Sequence, residues 1–136
     1  VVHGDIKGSN VLIEMRGDWM RAKLADFGLS RVVTKRATKL GGTVRWMAPE
    51  VVIGRTGSTS PAADVFSFGR LLYLLTTGRQ PLLTLNTAII ISQVRNGISL
   101  PLEWPADVPL LEDAQALCQE CMQRQPSSRP SIAAVQ

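Results

Sequence analysis

The stretch that decides the fold is His3-Gly4-Asp5-Ile6-Lys7-Gly8-Ser9-Asn10, near the start of the 136-residue chain. Asp26-Phe27-Gly28 and Ala48-Pro49-Glu50 follow it in that order. Taken alone, an aspartate with a lysine nearby is usually a surface ion pair of little energetic value. An aspartate before a phenylalanine is equally typical of an ordinary turn. Three such motifs in a fixed order are too specific for these explanations, and their combination indicates a functional site.

The composition fits one globular domain with one hydrophobic core. Apolar residues make up 45% of the chain and charged residues 19%, and the charges are mixed along the sequence, which argues against disorder. The net charge of +4 is scattered, apart from a loose cluster at Arg31, Lys35, Arg36 and Lys39. Such a cluster can meet phosphate but is more often a solvated loop. No nucleic-acid partner is therefore expected.

The two cysteines, Cys118 and Cys121, are spaced as C-x-x-C, which can indicate a redox pair or half of a zinc site. They lie among apolar residues at helical spacing, which favours buried reduced thiols. The chain has one histidine and no second C-x-x-C to complete a metal shell. We predict that both cysteines pack in the core.

The chain shows no sequence signature of a membrane segment or a secretory signal. The apolar run from Leu71 to Leu75 is far too short to span a bilayer. An intracellular, cytoplasmic location is the resulting expectation. Because the first residue is Val1 and not methionine, the chain is also expected to be a fragment.

Short apolar runs separated by polar or Gly-containing turns predict small strands. These runs are Val1–Val2, Val11–Ile13 and Ala22–Leu24. The segment from Leu29 to Pro49 is rich in Gly, Thr and basic residues without a sustained period, which is typical of a functional loop.

Helix start and stop signals dominate the second half of the chain. They predict helices from Ser60 to Gly78, from Asn86 to Gly97, from Asp107 to about Arg124, and from Pro130 to the chain end at Gln136. The first of these is apolar over most of its circumference, so we expect it to be buried nearly all round. The expected fold is mainly α with short β-hairpin elements.

The three motifs resemble those of eukaryotic protein kinases. The first resembles the catalytic loop H-R-D-x-x-x-x-N, the second the D-F-G magnesium motif and the third the A-P-E motif. Further matches are Gly42-Thr43 before Arg45-Trp46-Met47, Asp64-Val65-Phe66-Ser67-Phe68-Gly69, and Arg129-Pro130. Trp46-Met47-Ala48-Pro49-Glu50 resembles the tyrosine kinase-like group of serine/threonine kinases. The resemblance covers residues 1–136 and implies a partial kinase domain, the α+β C-terminal lobe with the N-terminal lobe absent.

The resemblance implies ATP and Mg²⁺ as cofactors and a protein serine or threonine hydroxyl as the phosphate acceptor. Asp5 is expected to accept or orient the proton of that hydroxyl. Lys7 is expected to contact the transferred phosphate, and Thr43 to hydrogen-bond Asp5 and Lys7. Asn10 and Asp26 are expected to bind the Mg²⁺ that bridges the ATP phosphates.

Three further residues are expected to support the site without touching substrate. The resemblance implies that Asp64 accepts hydrogen bonds from the catalytic-loop backbone. It also implies that Glu50 pairs with Arg129.

The chain departs from the family pattern at Gly4, where kinases usually carry an arginine that grips a phosphate on the activation loop. We therefore expect activity not to depend strictly on phosphorylation of that loop, although Thr34, Thr38 and Thr43 are available for modification. Nothing in the chain resembles the Gly-rich loop, strand lysine or helix glutamate of the N-terminal lobe. The fragment alone is expected to be inactive and to expose apolar surface.

Two alternatives to an active kinase stay open at this stage. A pseudokinase or scaffold would keep the fold without the chemistry. Its weakness is that a scaffold has no physical need for Asp5, Lys7, Asn10 and Asp26 together. A nucleic-acid-binding module is the second alternative, and it has only the scattered basic charge in its favour.

Overall fold

The computed structural model describes residues 2–26, 41–54, 60–106 and 111–135. Its regular elements within these ranges are β1 Val11–Arg16, β2 Trp19–Leu24, α1 Pro49–Ile53, α2 Pro61–Thr77, α3 Thr87–Arg95 and α4 Leu111–Cys121. Short 3₁₀ helices cover Gly8–Asn10, Gly41–Trp46 and Pro126–Ser128. The prediction of a mainly helical fold with a β-hairpin is confirmed.

Strands β1 and β2 form an antiparallel hairpin whose register runs from Val11 opposite Leu24 to Arg16 opposite Trp19. Gly17 lies in the connecting turn at φ +61°, a conformation that glycine adopts without strain. The predicted strands at residues 11–13 and 22–24 are confirmed, and both extend further toward the turn. The strand predicted at residues 1–2 is wrong for Val2, which has no strand partner, while Val1 lies outside the described residues.

The hairpin carries large apolar side chains that are exposed to solvent. They are Leu12, Ile13, Met15, Trp19 and Met20, each more than half exposed. The expected exposed apolar surface is therefore present on these two strands. A two-stranded hairpin buries little by itself, so its position depends on hydrogen bonds at its base.

Helix α2 is the centre of the described structure and begins and ends where the sequence predicts. The Ser60 hydroxyl accepts a hydrogen bond from the Ala63 N–H at 3.2 Å, and Gly78 ends the helix at φ +68°. Val65 and Phe66 are buried, but Leu75 is 67% exposed. Burial nearly all round is therefore wrong for the last turns, because no described element packs over Leu75. Among the described residues, no helix has the length and apolar character needed to cross a membrane.

The main core joins the segment around α1 to helices α2 and α3. Asn86 caps α3 by accepting a hydrogen bond from the Ile89 N–H at 2.9 Å, as predicted. The buried side chains of this core are Val44, Met47, Ala48, Val51, Val52, Ala63, Phe66, Leu82, Ile90 and Val94. Residues 44–52 are thus fixed against two helices that cap residues had already located in the sequence.

Three sequence-based boundaries differ from the structure. The end of the segment predicted to be irregular forms the 3₁₀ helix at residues 41–46, and the third predicted helix is described from Leu111 to Cys121, with residues 107–110 outside the described part. The helix predicted from Pro130 is wrong. A single turn forms there, in which the Ser131 hydroxyl and carbonyl both accept from the Ala134 N–H. One isolated turn gains too few hydrogen bonds to propagate a helix.

Helices α2 and α4 approach closely at Gly69. A Cβ atom at this position would come within 2.8 Å of Cys121 Cβ and 3.1 Å of Met122 Cγ. The Cys118 thiol donates a hydrogen bond to the Gly69 carbonyl at 3.2 Å. Both cysteines are free and buried, and burial raises the pKa of Cys118 to about 12 and raises that of Cys121. The prediction of buried reduced thiols is confirmed.

We predict that Gly69→Ala destabilises the fold. The added methyl group would force α2 and α4 apart, which typically costs about 1–3 kcal/mol and outweighs the roughly 1 kcal/mol by which alanine favours a helix over glycine. The free energy of unfolding in urea measures this, with Leu75→Ala at the exposed side of α2 as a near-neutral control. Unchanged or increased stability of Gly69→Ala would contradict the close packing of these helices.

Candidate active site

The loop that carries Asp5 is attached to α2 through the carboxylate of Asp64. Its Oδ2 accepts from the His3 N–H at 2.6 Å and its Oδ1 accepts from the Gly4 N–H at 2.8 Å. Asp64 is 4% exposed, so these two bonds satisfy a charge that is otherwise costly to bury. Gly4 has φ +80°, a region that side chains with a Cβ rarely adopt. The expected role of Asp64 is confirmed, and glycine suits the backbone at the position where the family has arginine.

His3 connects this loop to the end of the hairpin. Its buried ring accepts from the Asp5 N–H at Nδ1, at 3.3 Å, while Nε2 lies 2.8 Å from the Ala25 carbonyl oxygen. With Nδ1 as acceptor, Nε2 is the nitrogen that carries the proton and donates to Ala25. No role was predicted for His3 from the sequence, although its place two residues before Asp5 was a signal. In the structure, the His3 ring orients the Asp5 backbone by accepting the hydrogen bond from the Asp5 N–H.

Asp5 lies in a buried polar group formed by the loop itself. Its Oδ2 is 2.8 Å from the Lys7 ammonium and accepts from the Asn10 amide nitrogen at 3.1 Å. The same Asn10 nitrogen also donates to the Asp5 carbonyl at 2.8 Å. Asp5 Oδ1 is buried, and no described residue donates a hydrogen bond to it. Oδ2 is therefore held in place by two donors, whereas Oδ1 is a buried acceptor without a described donor.

Lys7 brings the loop together with the segment before α1. Its ammonium donates to the Thr43 hydroxyl at 3.2 Å, across 36 positions of the sequence. The expected bond between Thr43 and Lys7 is present, and the described contacts connect Thr43 to Asp5 through Lys7. A cavity of about 390 Å³ opens beside the pair and is lined by Gly8, Ser9, Thr43, Trp46 and Gln80 among others. The site is thus accessible next to a cation and a hydroxyl.

Asn10 lies just before the first strand of the hairpin, and Asp26 lies two residues after the second strand. The Ala25 N–H donates to the Asn10 carbonyl at 2.8 Å, which places Asp26 one residue beyond that bond. Asp26 is exposed and has φ +61°, an uncommon conformation that non-glycine residues adopt more often at functional sites. The Asn10 amide nitrogen makes the bonds to Asp5, so its amide oxygen is the atom left to bind a metal. Phe27 and Gly28 lie outside the described residues.

The donor types at Asn10 and Asp26 fit magnesium. Among the residues that the structure describes, no group of three or more His, Cys, Asp or Glu side chains could hold a metal ion. Mg²⁺ at phosphate-transfer sites usually takes one or two protein oxygens and completes its shell with phosphate and water. The amide oxygen of Asn10 and the carboxylate of Asp26 are oxygen ligands of this kind.

The partly buried carboxylate of Glu50 fixes the segment that contains Thr43. Arg129 donates to both carboxylate oxygens of Glu50, at 2.7 and 2.9 Å, and also to the carbonyls of Ala62 and Gln123. Its guanidinium lies over the Phe66 ring at 5.0 Å. The expected pairing of Glu50 and Arg129 is confirmed, and it joins α1 to the start of α2 and the end of α4.

Ser67 adds a contact that sequence reasoning missed. Its hydroxyl donates to the Trp46 carbonyl at 2.9 Å, which holds the residues before α1 against the middle of α2. A small hydroxyl residue in the middle of a largely apolar helix was the available signal. Thr34 and Thr38, and the basic cluster at residues 31–39, lie outside the described residues.

Comparison with known proteins agrees with this arrangement. The protein kinase domain family matches residues 1–136. The chain belongs to the protein kinase family. It is 36% identical over 134 residues to mitogen-activated protein kinase kinase kinase 3 of Arabidopsis thaliana, covering 96% of this chain and 20% of that protein.

Two further relatives of this kinase chain are also named as kinases. It is 36% identical over 134 residues to mitogen-activated protein kinase kinase kinase 12 of Rattus norvegicus, covering 97% of this chain and 14% of that protein. It is 31% identical over 133 residues to a probable serine/threonine-protein kinase of Dictyostelium discoideum, covering 96% of this chain and 8% of that protein. The kinase chain therefore spans a fifth or less of the length of these relatives.

We predict that Asp64→Asn loosens the Asp5 loop. The amide keeps the volume but loses the charge and one acceptor, so at least one buried N–H of His3 or Gly4 loses its partner, at a cost of about 1–3 kcal/mol. Amide hydrogen exchange at His3 and Gly4 should become roughly 10- to 100-fold faster. Asp113→Asn, at an exposed position of α4, is the matched control. Unchanged exchange at both amides would show that Asp64 does not hold the loop.

Proposed function

We propose that this chain is the C-terminal lobe of a protein kinase that transfers the γ-phosphate of ATP to serine or threonine hydroxyls of protein substrates. The observation that carries the proposal is the chain of side-chain contacts that joins Asn10 to Asp5, Asp5 to Lys7 and Lys7 to Thr43. Residues 1–136 would form one partial kinase domain. The family membership supports the reaction type, and the geometry supports the roles of the individual residues.

Asp5 is proposed to orient the acceptor hydroxyl and accept its proton. Its buried Oδ1 has no described donor, so a substrate O–H would satisfy an acceptor that is otherwise left unpaired. Its Oδ2 is held by Lys7 and Asn10, which fixes the direction of Oδ1 before substrate arrives. A base held in place in this way needs no rearrangement during the reaction, which is the main contribution a protein makes to phosphoryl transfer.

Lys7 and Thr43 are proposed to act on the transferred phosphate. The Lys7 ammonium lies beside Asp5 and its side chain is 21% exposed, so it can reach a phosphate oxygen while it neutralises the carboxylate. Thr43 holds that ammonium from the other side. The lysine two residues after the aspartate also supports a serine or threonine acceptor, as does the likeness to the named serine/threonine-protein kinase of Dictyostelium.

Asn10 and Asp26 are proposed to hold Mg²⁺ bound to ATP. When bound, the ion neutralises charge on the phosphates and orients them. The chain's own contribution is to hold Asn10 and Ala25, the residue before Asp26, together at the base of the hairpin through a backbone hydrogen bond. No run in the sequence resembles a Gly-rich loop or a strand lysine. We therefore propose that the chain works as part of a complete kinase domain and transfers phosphate negligibly by itself.

The direct test replaces Asp5 by asparagine in the full-length protein that contains this chain. With Mg-ATP and a generic protein substrate, Asp5→Asn should lower the rate of phosphate incorporation by roughly 10²- to 10⁴-fold, because a positioned base is lost. Asp113→Asn, with an exposed side chain, should keep the wild-type rate. Thermal unfolding checks that both variants are folded. Equal incorporation by wild type and Asp5→Asn would refute the role of Asp5 and favour a scaffold.

Acceptor specificity is tested with three peptides that differ only in the acceptor, which is serine, threonine or tyrosine. We expect the kcat/KM values for the serine and threonine peptides to exceed that for the tyrosine peptide roughly 10- to 100-fold, because the longer phenol misplaces its hydroxyl relative to Asp5 and Lys7. Phosphoamino-acid analysis of the products identifies the acceptor. Preferential labelling of tyrosine would overturn the assignment.

A further inference from the structure

A second cavity of about 460 Å³ lies between α2, α4 and the segment of residues 98–104. None of the residues proposed for phosphate transfer lines it. Phe66, Leu102, Trp104 and Met122 contribute apolar walls, while the polar lining includes Arg70, Arg124 and Gln119. None of the described lining residues is acidic. The volume falls within the range of about 300–1,000 Å³ that is typical of small-molecule sites.

Arg70 is the unusual member of this lining, because it is a cation buried in the central helix. It is only 5% exposed, and one guanidinium nitrogen donates to the Arg45 carbonyl. The guanidinium lies over the Phe66 ring at 4.8 Å, and its buried Nε has no hydrogen-bond partner among the described residues. Burial lowers the pKa of Arg70 to about 9, which still leaves it charged near neutral pH. The cation is therefore present and incompletely satisfied.

A buried cation without an anionic partner is unfavourable. Removing an ammonium or guanidinium from water costs desolvation free energy. This cost is offset only when an opposite charge and further hydrogen bonds replace the lost hydration. No described carboxylate lies within ion-pair distance of Arg70, whereas the other buried arginine, Arg129, has Glu50. An anion entering the cavity would supply the missing charge.

The remaining polar groups favour the same kind of ligand. Arg124 lines the cavity and uses one nitrogen to donate to the Val94 carbonyl at 3.4 Å, and the side-chain amides of Gln115, Gln119 and Gln123 add further possible donors. The guanidinium presents a planar fork of N–H donors that matches the geometry of a carboxylate. The apolar walls require the rest of the ligand to be apolar.

We propose that this cavity binds a small organic carboxylate with an apolar body, the carboxylate pairing with Arg70 and the body packing against Phe66 and Trp104. This is a binding site separate from the phosphate-transfer site. It does not depend on the kinase reaction.

The test uses 2-naphthoate as the probe and 2-naphthylmethanol as its neutral counterpart, with binding to the full-length protein measured by calorimetry. We expect saturable 2-naphthoate binding with a Kd of about 1 mM or tighter, from the usual affinity per atom of small ligands. Arg70→Met should weaken it about tenfold or more, because a charge-assisted hydrogen bond is lost. Arg95→Met removes an exposed arginine of α3 that does not line the cavity, and it should change the Kd less than about twofold.

A second measurement locates the probe in the wild-type protein and does not depend on the folding of Arg70→Met. The indole N–H signal that disappears in Trp104→Phe should shift on addition of 2-naphthoate and reach saturation at the calorimetric Kd. Equal binding by Arg70→Met, equal binding of the neutral alcohol, absence of saturation up to about 10 mM, or no shift of the Trp104 signal would each overturn the proposal.

Discussion

The carboxylate of Asp64 is the interaction on which the proposed site depends. It accepts hydrogen bonds from the backbone N–H groups of His3 and Gly4 and so holds the start of the Asp5 loop against α2. Because Ser60 and Pro61 determine where α2 begins, they also determine where this carboxylate stands. The His3 ring then hydrogen-bonds the Asp5 N–H and the Ala25 carbonyl. These two bonds connect the loop to the base of the hairpin.

Helix α2 also positions the other half of the site. Ser67 holds the Trp46 carbonyl, and the pair of Glu50 and Arg129 attaches α1 to the start of the same helix. Thr43 precedes these attachments by only a few residues, so its hydroxyl meets the Lys7 ammonium from a distant part of the sequence. Two segments that lie far apart in the chain are thus fixed to one helix. A rigid support of this kind suits a reaction in which the protein contributes mainly by positioning groups.

Local signals in the sequence predicted the helices well where a cap residue was present. Ser60, Gly78 and Asn86 located the ends of α2 and the start of α3, because a single side chain or a glycine satisfies the terminal backbone groups. The contacts of Asp64 and of Glu50 with Arg129 span 60 to 79 positions, and no periodicity predicts such pairs. They were expected only because the motifs resemble those of kinases.

The errors have different physical causes. Pro130 looked like a helix start, but Ser131 bonds its own turn and no second turn follows. Leu75 was expected to be buried from the apolar character of α2, yet burial depends on which elements pack over that side. The burial of Arg70 could not be foreseen at all, since an arginine in a sequence is normally a surface residue.

A crystal structure of the complete kinase domain with Mg²⁺ and a non-hydrolysable ATP analogue would show most directly whether Asn10 and Asp26 hold the nucleotide-bound metal. We expect the Asn10 amide oxygen and the Asp26 carboxylate to bind the same ion at about 2.0–2.1 Å, with Asp5 Oδ1 facing the side from which an acceptor hydroxyl reaches the terminal phosphate. A nucleotide-bound ion that neither residue contacts, with Asn10 and Asp26 on different faces of the domain, would contradict this expectation.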